Sequence, residues 1–307
     1  MKTLVVGGSG FIGAHLIRQL RARGEHVVGL SRLLPSAAQL QWMGDPAWRA
    51  GSFLDQDVLA RELRGVQTCY HLASSTVPRT SNLDPIADVQ VNLCGTINLL
   101  TAAAAANVKK VVFASSGGTV YGRPTDVPIA ETSCRNPINS YGIVKVAIEQ
   151  YCEMFRQNGQ LDFSIVRLSN PYGPLQRPEG AQGVVAVFLH RIMNNLPVEV
   201  WGDGSAIRDY IYIDDAIAGL LAAAAFVGDD PIFNIGSGVG LSILEIVAFI
   251  EQTCGRKANI KFLPAGKLDI PTNILSVAKA KRLLGFGPSI TILDGLARTA
   301  AHLSSAT

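Results

Sequence analysis

Short apolar runs alternate with longer stretches of helical periodicity over the first half of the chain. The apolar runs predict five strands, at Thr3–Gly7, His26–Leu30, Thr68–Leu72, Lys110–Ser115 and Phe163–Leu168. Between them, apolar residues that recur every three or four positions predict helices at Ile12–Arg23, Ala87–Ala106 and Tyr141–Gln157. Strands this apolar are typical of parallel sheets that are buried on both faces. The alternation therefore predicts an α/β fold with a doubly wound parallel sheet and right-handed crossovers.

The pattern changes after Leu168. Segments rich in proline, glycine and asparagine interrupt shorter elements there, at Asn170–Gly173, Arg177–Gly183 and Gly202–Ser205. We expect residues 1–168 to form mainly the sheet domain, and residues 169–307 to form mainly a smaller C-terminal α/β region over its open end. Some strands and helices of this second region are expected to return to the first domain. Its predicted helices include Ser242–Cys254 and Ile292–His302.

Composition supports a folded chain and limits the classes of partner. The 307 residues are 48% hydrophobic and 17% charged, which favours a sizeable core over disorder. A net charge of +3 without a long run of like charges predicts no nucleic-acid partner. The apolar start breaks at Gly7, too early for a signal peptide, and no run of about 18 apolar residues follows. We therefore expect a cytoplasmic protein without a membrane segment.

The five cysteines indicate neither a disulfide framework nor a metal site. They are odd in number, and no two of them form a CxxC pair. This usage is typical of a reducing cytoplasm, and we expect no bound metal.

The first predicted turn carries the glycine spacing of a dinucleotide-binding site. Gly7, Gly10 and Gly13 lie between the first strand and the first helix, with Phe11 and Ile12 at the helix start. Gly7 permits a tight turn, Gly10 lets the backbone approach a pyrophosphate, and Gly13 lets the helix pack on the strand. Unpaired N–H groups of the helix N-terminus then face the phosphates. The spacing predicts a Rossmann fold that binds NAD or NADP in its first domain, with a plain structural turn as the alternative.

The end of the second strand bears on which dinucleotide binds. Sites that prefer NAD usually place Asp or Glu there, where the carboxylate binds the ribose 2′-hydroxyl. This chain has Ser31 followed by Arg32. A hydroxyl and a guanidinium would hold a 2′-phosphate by charge-assisted hydrogen bonds, so we expect NADP to be accepted and somewhat favoured. The alternative is that Arg32 only stacks on adenine or faces solvent.

A phenol and an amine lie four residues apart in the third predicted helix, at Tyr141 and Lys145. This spacing puts both side chains on one helix face. A neighbouring ammonium and the positive charge of an oxidised nicotinamide both favour phenolate, so we expect the pKa of Tyr141 to be lowered. Tyr141 could then take or return a hydroxyl proton while a hydride moves.

A third catalytic partner is expected after the fourth strand. Ser115 ends that strand and Ser116 follows it, and both bring hydroxyls to the edge at which open α/β sheets bind ligands. Either hydroxyl could hydrogen-bond a reacting oxygen. The alternative is that both serines are turn residues.

These residues, with further motifs, resemble the extended short-chain dehydrogenase/reductase family, and within it the NAD-dependent epimerase/dehydratase group. The likeness covers nearly the whole chain, and its motifs specify the family much more closely than the substrate. The further motifs are His71-Leu72-Ala73, Asn92 with Gly95-Thr96, Ser115 to Gly122, Arg167 to Pro174, Arg208-Asp209-Tyr210, Asp214-Asp215, Asp269-Ile270-Pro271 and Lys279 to Gly285.

The resemblance implies roles for the matching positions. Tyr141 would be the acid/base group, and Lys145 would bind the nicotinamide ribose. Leu72, Ala73 and Asn92 would contact the cofactor beside the glycine turn. The residues implied to contact the substrate are Ser116, Thr119, Asn170, Val184, Arg208, Lys267 and Asp269.

Within that substrate set, the resemblance implies separate tasks. Ser116 would be the catalytic hydroxyl, with Thr119 in reserve. Asn170 and Arg208 would hold a diphosphate, and a guanidinium suits bidentate phosphate contact. The alternative for Arg208 is a structural ion pair with Asp209 or Asp214.

The sequence departs from the family pattern at three places, which bear on the reaction and on the phosphate contacts. Relatives carry the catalytic hydroxyl four residues before the Tyr of a V-Y-G segment, which is Gly117 here, so we expect a loop one residue longer. Dehydratases of the group place Asp and Glu after that hydroxyl, whereas Gly117 and Gly118 follow Ser116, which argues against 4,6-dehydration. Relatives also have an Arg shortly before the Asp-x-Pro run, where only Lys267 could supply the charge.

The resemblance implies a nucleotide-sugar 4-epimerase that transiently oxidises and re-reduces C4 of a UDP-hexose, with a role in polysaccharide biosynthesis. An NADPH-dependent reductase of a 4-keto-sugar nucleotide is the alternative that Ser31 and Arg32 favour. A non-catalytic NADP(H)-binding regulatory protein is a third possibility, since fold alone does not fix function. The resemblance also implies a substrate-binding role for the C-terminal region and a homodimer formed through two long helices, Ala87–Ala106 and Tyr141–Gln157.

Overall fold

The computed structural model describes residues 2–178, 183–265 and 270–305. Within these ranges the strands are β1 Lys2–Val6, β2 His26–Ser31, β3 Ala47–Ala50, β4 Val66–His71, β5 Lys110–Ser116, β6 Asp162–Leu168, β7 Asn170–Tyr172, β8 Val198–Trp201, β9 Ile207–Tyr212, β10 Ile232–Ile235, β11 Gly240–Ser242, β12 Ile260–Leu263 and β13 Thr272–Asn273. The α-helices are α1 Phe11–Ala22, α2 Ala37–Trp42, α3 Gln56–Glu62, α4 Pro85–Asp88, α5 Gly95–Ala105, α6 Ser140–Gln157, α7 Val184–Met193, α8 Ile213–Ala225, α9 Ile243–Cys254, α10 Ala278–Leu284 and α11 Ile292–Ser305.

Seven parallel strands form the central sheet, in the order β10-β6-β5-β4-β1-β2-β3. This arrangement confirms the predicted doubly wound parallel sheet of a Rossmann fold. The strand order reverses between β1 and β4, where open α/β sheets bind ligands beyond the carboxyl ends of the strands. All five predicted strands are present with shifts of one or two residues, and β3 and β10 add the two edges.

Alternate residues of β1 enter two hydrophobic cores on opposite faces of the sheet. Leu4 and Val6 pack into the core that α3, α5 and α6 cover, and Val5 packs into the core that contains α1 and α8. All three side chains are buried, as the strand period of two requires when both faces are covered. This two-sided burial accounts for the unbroken apolar run in the sequence.

The C-terminal part of the chain builds two small sheets after β6. In these, β9 pairs with β7, β11 and β13, and β8 pairs with β12. The α7, α9 and α11 helices pack against one another, while β10 and α8 return to the central sheet. The division at residue 168 stays a prediction. Among the described residues, no helix has both the length and the apolar character needed to cross a bilayer.

The helix predicted over Ala87–Ala106 is present, but it is not α-helical throughout. A π-helical segment, Val89–Cys94, lies between the end of α4 and the start of α5. Such wider turns occur frequently at functional sites. Here the segment lets Asn92 Nδ2 donate to Asp88 Oδ1 across 2.7 Å while both side chains stay buried.

A buried ion pair ties α6 to the central sheet. Arg167 Nη2 in β6 lies 2.7 Å from Glu149 Oε2 in α6, and Arg167 Nε lies 3.1 Å from the other carboxylate oxygen. Both side chains are almost fully buried. Ser115 Oγ in β5 and Arg135 Nη1 also donate to this carboxylate, at 2.6 and 3.3 Å. The network therefore fixes α6 against β5 and β6.

Arg167→Met should lower the free energy of unfolding by about 3–5 kcal/mol, because it leaves Glu149 as a buried charge without its main partner. Glu149→Met/Arg167→Met removes both charges and should recover part of the loss. Arg156→Met is the matched control, since its ion pair with Glu153 is partly exposed on the same helix. This control should cost less than about 1 kcal/mol. Urea denaturation measures all three variants, and equal losses for the two arginines would contradict the interpretation.

Candidate active site

The turn between β1 and α1 closes tightly around its glycines. Gly7 has a φ of 87°, and a side chain there would place Cβ 2.7 Å from the backbone nitrogen of Ala73. A Cβ at Gly13 would lie 2.3 Å from the carbonyl oxygen of Gly7, so α1 approaches β1 only because that Cβ is missing. Gly10 is the N-cap of α1 and offers no capping side chain. The uncapped N–H groups at this helix end fit a phosphate.

A cavity of about 250 Å³ opens on one side of this turn. As predicted, Ser31 and Arg32 line it, together with Ala73. Arg32 is the one charged residue of the described lining, and its side chain is exposed. Ser31 Oγ donates to the carbonyl oxygen of Leu33 at 2.6 Å. That proton is engaged in this structure, and Arg32 carries the positive charge alone, so the expected donation from Ser31 to a 2′-phosphate stays a prediction.

A larger cavity, of about 630 Å³, opens on the other side of the turn and reaches the C-terminal part of the chain. The two cavities share the lining residues Gly7, Gly10, Leu72 and Ser74, and so they adjoin as one cleft. A long cleft with a few convergent polar groups fits an elongated ligand. The predicted site residues in the larger cavity are Gly7, Gly10, Phe11, Ile12, Gly13, Leu72, Ser116, Thr119, Tyr141, Lys145, Asn170, Val184 and Arg208.

Tyr141 and Lys145 lie one turn apart on α6 and both line the larger cavity. Lys145 Nζ donates to the carbonyl oxygen of Ala114 at 2.8 Å and lies 5.4 Å from the centre of the Tyr141 ring. Asn139 caps the helix, because its Oδ1 accepts from the N–H of Gly142 at 2.8 Å. The cap and the bond to β5 together hold the pair at the carboxyl end of that strand.

Burial changes the proton affinities of this pair in opposite directions. It raises the pKa of Tyr141 to about 12, and the Asp88 carboxylate adds to the rise. It lowers the pKa of Lys145 to about 8, against the opposing effects of the Glu149 and Asp88 carboxylates. The expectation that Lys145 and an oxidised nicotinamide together lower the pKa of Tyr141 stays a prediction, because the protein by itself raises this pKa by burial. Ionisation of this phenol near neutral pH requires further positive charge in the cleft.

The serine-rich segment at the end of β5 turns some of its residues towards the cavity and others towards the interior. The N–H of Gly117 donates to the carbonyl oxygen of Leu168 at 2.8 Å, and a Cβ at Gly117 would lie 2.5 Å from the Leu275 side chain. Gly117 therefore faces the interior, whereas Ser116 and Thr119 line the cavity. Thr119 Oγ1 is buried and has no hydrogen-bond partner within the described chain. An unsatisfied hydroxyl of this kind fits a polar ligand.

Asn170 and Arg208 reach the larger cavity from the neighbouring strands β7 and β9. Asn170 Nδ2 donates to the carbonyl oxygen of Asp209, and Arg208 Nη1 donates to the carbonyl oxygen of Ile207, both at 2.8 Å. Val184, the first residue of α7, lines the same cavity. The remaining predicted substrate contacts, Lys267 and Asp269, lie outside the described residues.

Ser169 and Tyr210 are among the lining residues that were not predicted as site residues. The hydroxyl of each is buried without a hydrogen-bond partner in the described part of the chain. The sequence does carry a signal for both. Ser169 directly follows the last residue of β6, and Tyr210 lies two residues after Arg208 in β9, which places it on the same face of the strand.

Asn92 is buried behind the cleft and lines neither cavity, and its expected contact with a cofactor stays a prediction. Its Oδ1 accepts from the N–H of Ser75 at 2.9 Å, and its Nδ2 donates to Asp88 Oδ1 and Thr76 Oγ1. Both the oxygen and the nitrogen of the Asn92 amide therefore have hydrogen-bond partners. Asn92 acts on the cleft through Ser75, which lines the smaller cavity.

Comparison with known proteins agrees with this geometry. The model of the NAD dependent epimerase/dehydratase family matches residues 3–236. A UDP-glucose 4-epimerase from Mycolicibacterium smegmatis is 35% identical over 305 residues, which cover 97% of each chain. A dTDP-4-dehydro-6-deoxyglucose reductase from Escherichia coli is 33% identical, with 95% of this chain and 94% of that relative covered.

Solved structures share the fold from end to end. The UDP-glucose 4-epimerase of Thermotoga maritima, solved with UDP-glucose, matches with a TM-score of 0.94 at 32% identity and covers 100% of this chain and 99% of that one. The UDP-glucose 4-epimerase of Thermus thermophilus, solved with NAD, matches with a TM-score of 0.93 at 31% identity and covers both chains fully. The expectation of an enzyme is confirmed, and the chain belongs to the NAD-dependent epimerase/dehydratase family.

Proposed function

We propose that the protein is an NAD(P)-dependent nucleotide-sugar 4-epimerase, which transiently oxidises and re-reduces C4 of a UDP-hexose. One observation carries the proposal: the phenol of Tyr141 and the amine of Lys145 line a single cavity that also contains the glycine turn and Arg208. This cavity adjoins the smaller one at the glycine turn, and in our proposal the joined cleft takes a dinucleotide at one end and a sugar diphosphate at the other. The similarity to two UDP-glucose 4-epimerases over the full chain supports the choice of reaction.

The cofactor end of the cleft is built from backbone groups and one amine. The glycine turn and the N-terminus of α1 hold the pyrophosphate. Lys145 donates one hydrogen bond to Ala114, which leaves two N–H donors for the nicotinamide ribose. With a pKa of about 8, the amine is mostly protonated at neutral pH. The bound dinucleotide supplies the hydride acceptor and donor, and a positive charge in its oxidised form.

The substrate end of the cleft handles the proton and the phosphates. Tyr141 takes the proton from the C4 hydroxyl and later returns it. Ser116, with Thr119 beside it, hydrogen-bonds the reacting oxygen. Arg208 and Asn170 hold the diphosphate, where a guanidinium fits two phosphate oxygens at once. The further contacts that we propose for the substrate are Val184, Lys267 and Asp269.

An NADPH-dependent reductase of a 4-keto-sugar nucleotide is the second candidate. The specific observation in its favour is the smaller cavity, whose described lining contains Arg32 and no carboxylate. The E. coli relative named as a dTDP-4-dehydro-6-deoxyglucose reductase shows that reductases occur among proteins this similar. A non-catalytic regulatory role has no comparable support.

The purified protein, without added cofactor, should convert UDP-glucose into its C4 epimer with no net change in nicotinamide absorbance. Tyr141→Phe should lower this rate by about 100- to 10,000-fold, because the acid/base group is lost, and it should still bind the dinucleotide. Tyr151→Phe, on the same helix, is the matched control and should keep the normal rate. Product analysis by chromatography measures the conversion.

The same assay separates the candidates. Stoichiometric consumption of NADPH with a 4-keto-sugar nucleotide, and no epimer from UDP-glucose, would establish the reductase and contradict the epimerase.

We also propose that the cleft accepts NADP and somewhat favours it. The exposed guanidinium of Arg32 lies at the end of β2, where a 2′-phosphate would be bound. The lining that the structure describes has no acidic group there to repel the phosphate. Because Ser31 already donates to Leu33, the preference depends on Arg32.

Arg32→Ala should weaken binding of NADP by about ten- to a hundredfold, because hydrogen bonds to a charged group usually contribute about that much to affinity. Binding of NAD, which lacks the 2′-phosphate, should change little. Arg61→Ala, an exposed arginine on α3, is the control for net charge. Calorimetric titration with both dinucleotides measures the difference. Equal affinities for NAD and NADP that do not respond to Arg32→Ala would rule the preference out.

We further propose a homodimer formed through α6 and the neighbouring α4, π-helical and α5 segments. Ile143, Ala147, Gln150 and Met154 recur at helical spacing along one face of α6. Ile143 is 55% exposed and Met154 is 42% exposed. On the adjoining segment, which packs against α6, Ile86 is 70% exposed. Exposed apolar side chains on two adjacent helices fit a second copy of the same chain.

Ile86→Glu/Ile143→Glu should convert the dimer into monomers, because each copy would bring two charges into an apolar interface. Val239→Glu, at an exposed apolar residue outside these helices, is the control and should leave the dimer intact. Light scattering coupled to gel filtration measures the mass. An unmodified protein that runs as a monomer would contradict the proposal.

We propose a cytoplasmic location and a role in supplying sugars for polysaccharide biosynthesis. All five cysteines are free thiols, which supports a reducing compartment.

A further inference from the structure

A buried carboxylate outside the proposed catalytic set lies behind the cleft. Asp88, the last residue of α4, has no exposed surface. Its Oδ1 accepts hydrogen bonds from Thr76 Oγ1 and Asn92 Nδ2, each at 2.7 Å, and its Oδ2 accepts one from Ser140 Oγ at 2.6 Å. Donors from three separate segments therefore converge on one acidic side chain.

This carboxylate connects the start of α6 with the loop formed by residues 74–82. Ser140 is the first residue of α6 and directly precedes Tyr141. Its N–H donates to Asn82 Oδ1 at 2.9 Å, and the N–H of Tyr141 donates to Ser81 Oγ at 3.1 Å. Other residues of the same loop line the larger cavity. Asp88 thus lies where the loop, the π-helical segment and the helix of the catalytic pair meet.

The charges in this part of the interior point to a partner for Asp88. Lys145 contacts a carbonyl oxygen and two aromatic rings, and it forms no ion pair with the residues that the structure describes. Glu149, one turn further along α6, is already bound by Arg167 and Arg135. Asp88 also lacks an ion pair within the described ranges. These two buried charges are of opposite sign, and buried charges persist when they are compensated.

The histidine beside Lys145 does not alter this balance. His71 is fully buried, and burial together with the Lys145 charge lowers its pKa to about 3. Its imidazole is therefore neutral near neutral pH. The charged groups that face the catalytic pair are Asp88 and Glu149.

We propose that Asp88 is a positioning residue for the catalytic pair: its carboxylate fixes the first turn of α6 and supplies the negative charge that balances the Lys145 ammonium. The proposal rests on the proposed role of Tyr141 as the acid/base group. In this arrangement Asp88 keeps the amine protonated for its contact with a ribose. It also keeps the phenol protonated until positive charge enters the cleft.

The electrostatic effects of Asp88 agree with this role. Its carboxylate raises the pKa of Tyr141, in addition to burial. It also raises the pKa of Lys145, against burial and beside the larger effect of Glu149. Removal of the charge should therefore lower both pKa values, so that phenol and ammonium each lose a proton at lower pH. If Asp88 acted only through its hydrogen bonds, a variant that keeps those bonds would leave the pKa values of Tyr141 and Lys145 unchanged.

Asp88→Asn is nearly isosteric and keeps an acceptor for Thr76 and Asn92, but it carries no charge. Ser140→Ala is the matched control, since it removes one hydrogen bond and leaves the charge. With oxidised dinucleotide bound, the tyrosinate absorbance that Tyr141→Phe abolishes reports ionisation of this phenol. We expect Asp88→Asn to lower the midpoint pH of this ionisation by about one unit. Ser140→Ala should change the same midpoint by less than about 0.3 unit.

The two proposals can fail separately. An unchanged midpoint in Asp88→Asn would overturn the role of Asp88, whatever the activity of the variant. If Tyr141→Phe keeps full activity while Asp88→Asn still shifts the midpoint, the acid/base role fails and the balancing by Asp88 stands.

A double-mutant cycle on the free energy of unfolding gives a second measurement that needs no cofactor. Asp88→Asn and Lys145→Met each leave one buried charge, whereas the double variant leaves neither. We expect the double variant to lose less stability than the sum of the two single losses, and additive losses would overturn the charge balance. If Asp88→Asn alone does not fold, the double variant should fold, and its failure to do so would equally overturn the proposal.

Discussion

Burial of both faces of the central sheet is the constraint on which the remaining structure depends. Because helices cover β1, β5 and β6 on each side, these strands carry mostly apolar side chains, and polar groups gather where the strands end. The carboxyl edge therefore collects the glycine turn after β1, the hydroxyls of Ser116 at the end of β5 and of Thr119 after it, and Ser169 after β6. A cleft with uncapped N–H groups and unsatisfied hydroxyls forms at this edge, where a ligand can supply the missing partners.

The same burial determines the protonation of the acid/base pair. In water, a neighbouring ammonium would lower the pKa of a phenol. In this interior the loss of hydration is the largest effect on both groups, and it raises the pKa of Tyr141 and lowers that of Lys145. Poor screening also lets carboxylates act beyond contact distance. Glu149 differs from Asp88 in having arginine partners, although both carboxylates raise the pKa of Lys145. The catalytic residues are fixed by local sequence, whereas their proton affinities are a property of the packed interior.

The contrast between local sequence signals and contacts within the packed interior explains which features the sequence could predict. Apolar strands, the glycine turn and the spacing of Tyr141 and Lys145 are local signals, and the structure reproduces them within two residues. The β3 strand escaped prediction because it is a half-exposed edge without an apolar run, and β10 because its pairing with β6 joins distant parts of the chain. The π-helical turn, the engaged hydroxyl of Ser31 and the inward position of Asn92 depend on a few hydrogen bonds that no spacing reveals.

The pairing of β10 with β6 has a consequence for how the protein is made. β10 closes the edge of the sheet from residues 232–235, and Asn234 within it binds Tyr121 and the carbonyl oxygen of Ile129. A nascent chain still shorter than this exposes the edge of β6, an open template for pairing with other strands. The edge of β6 therefore stays unshielded during synthesis until residues 232–235 have been added.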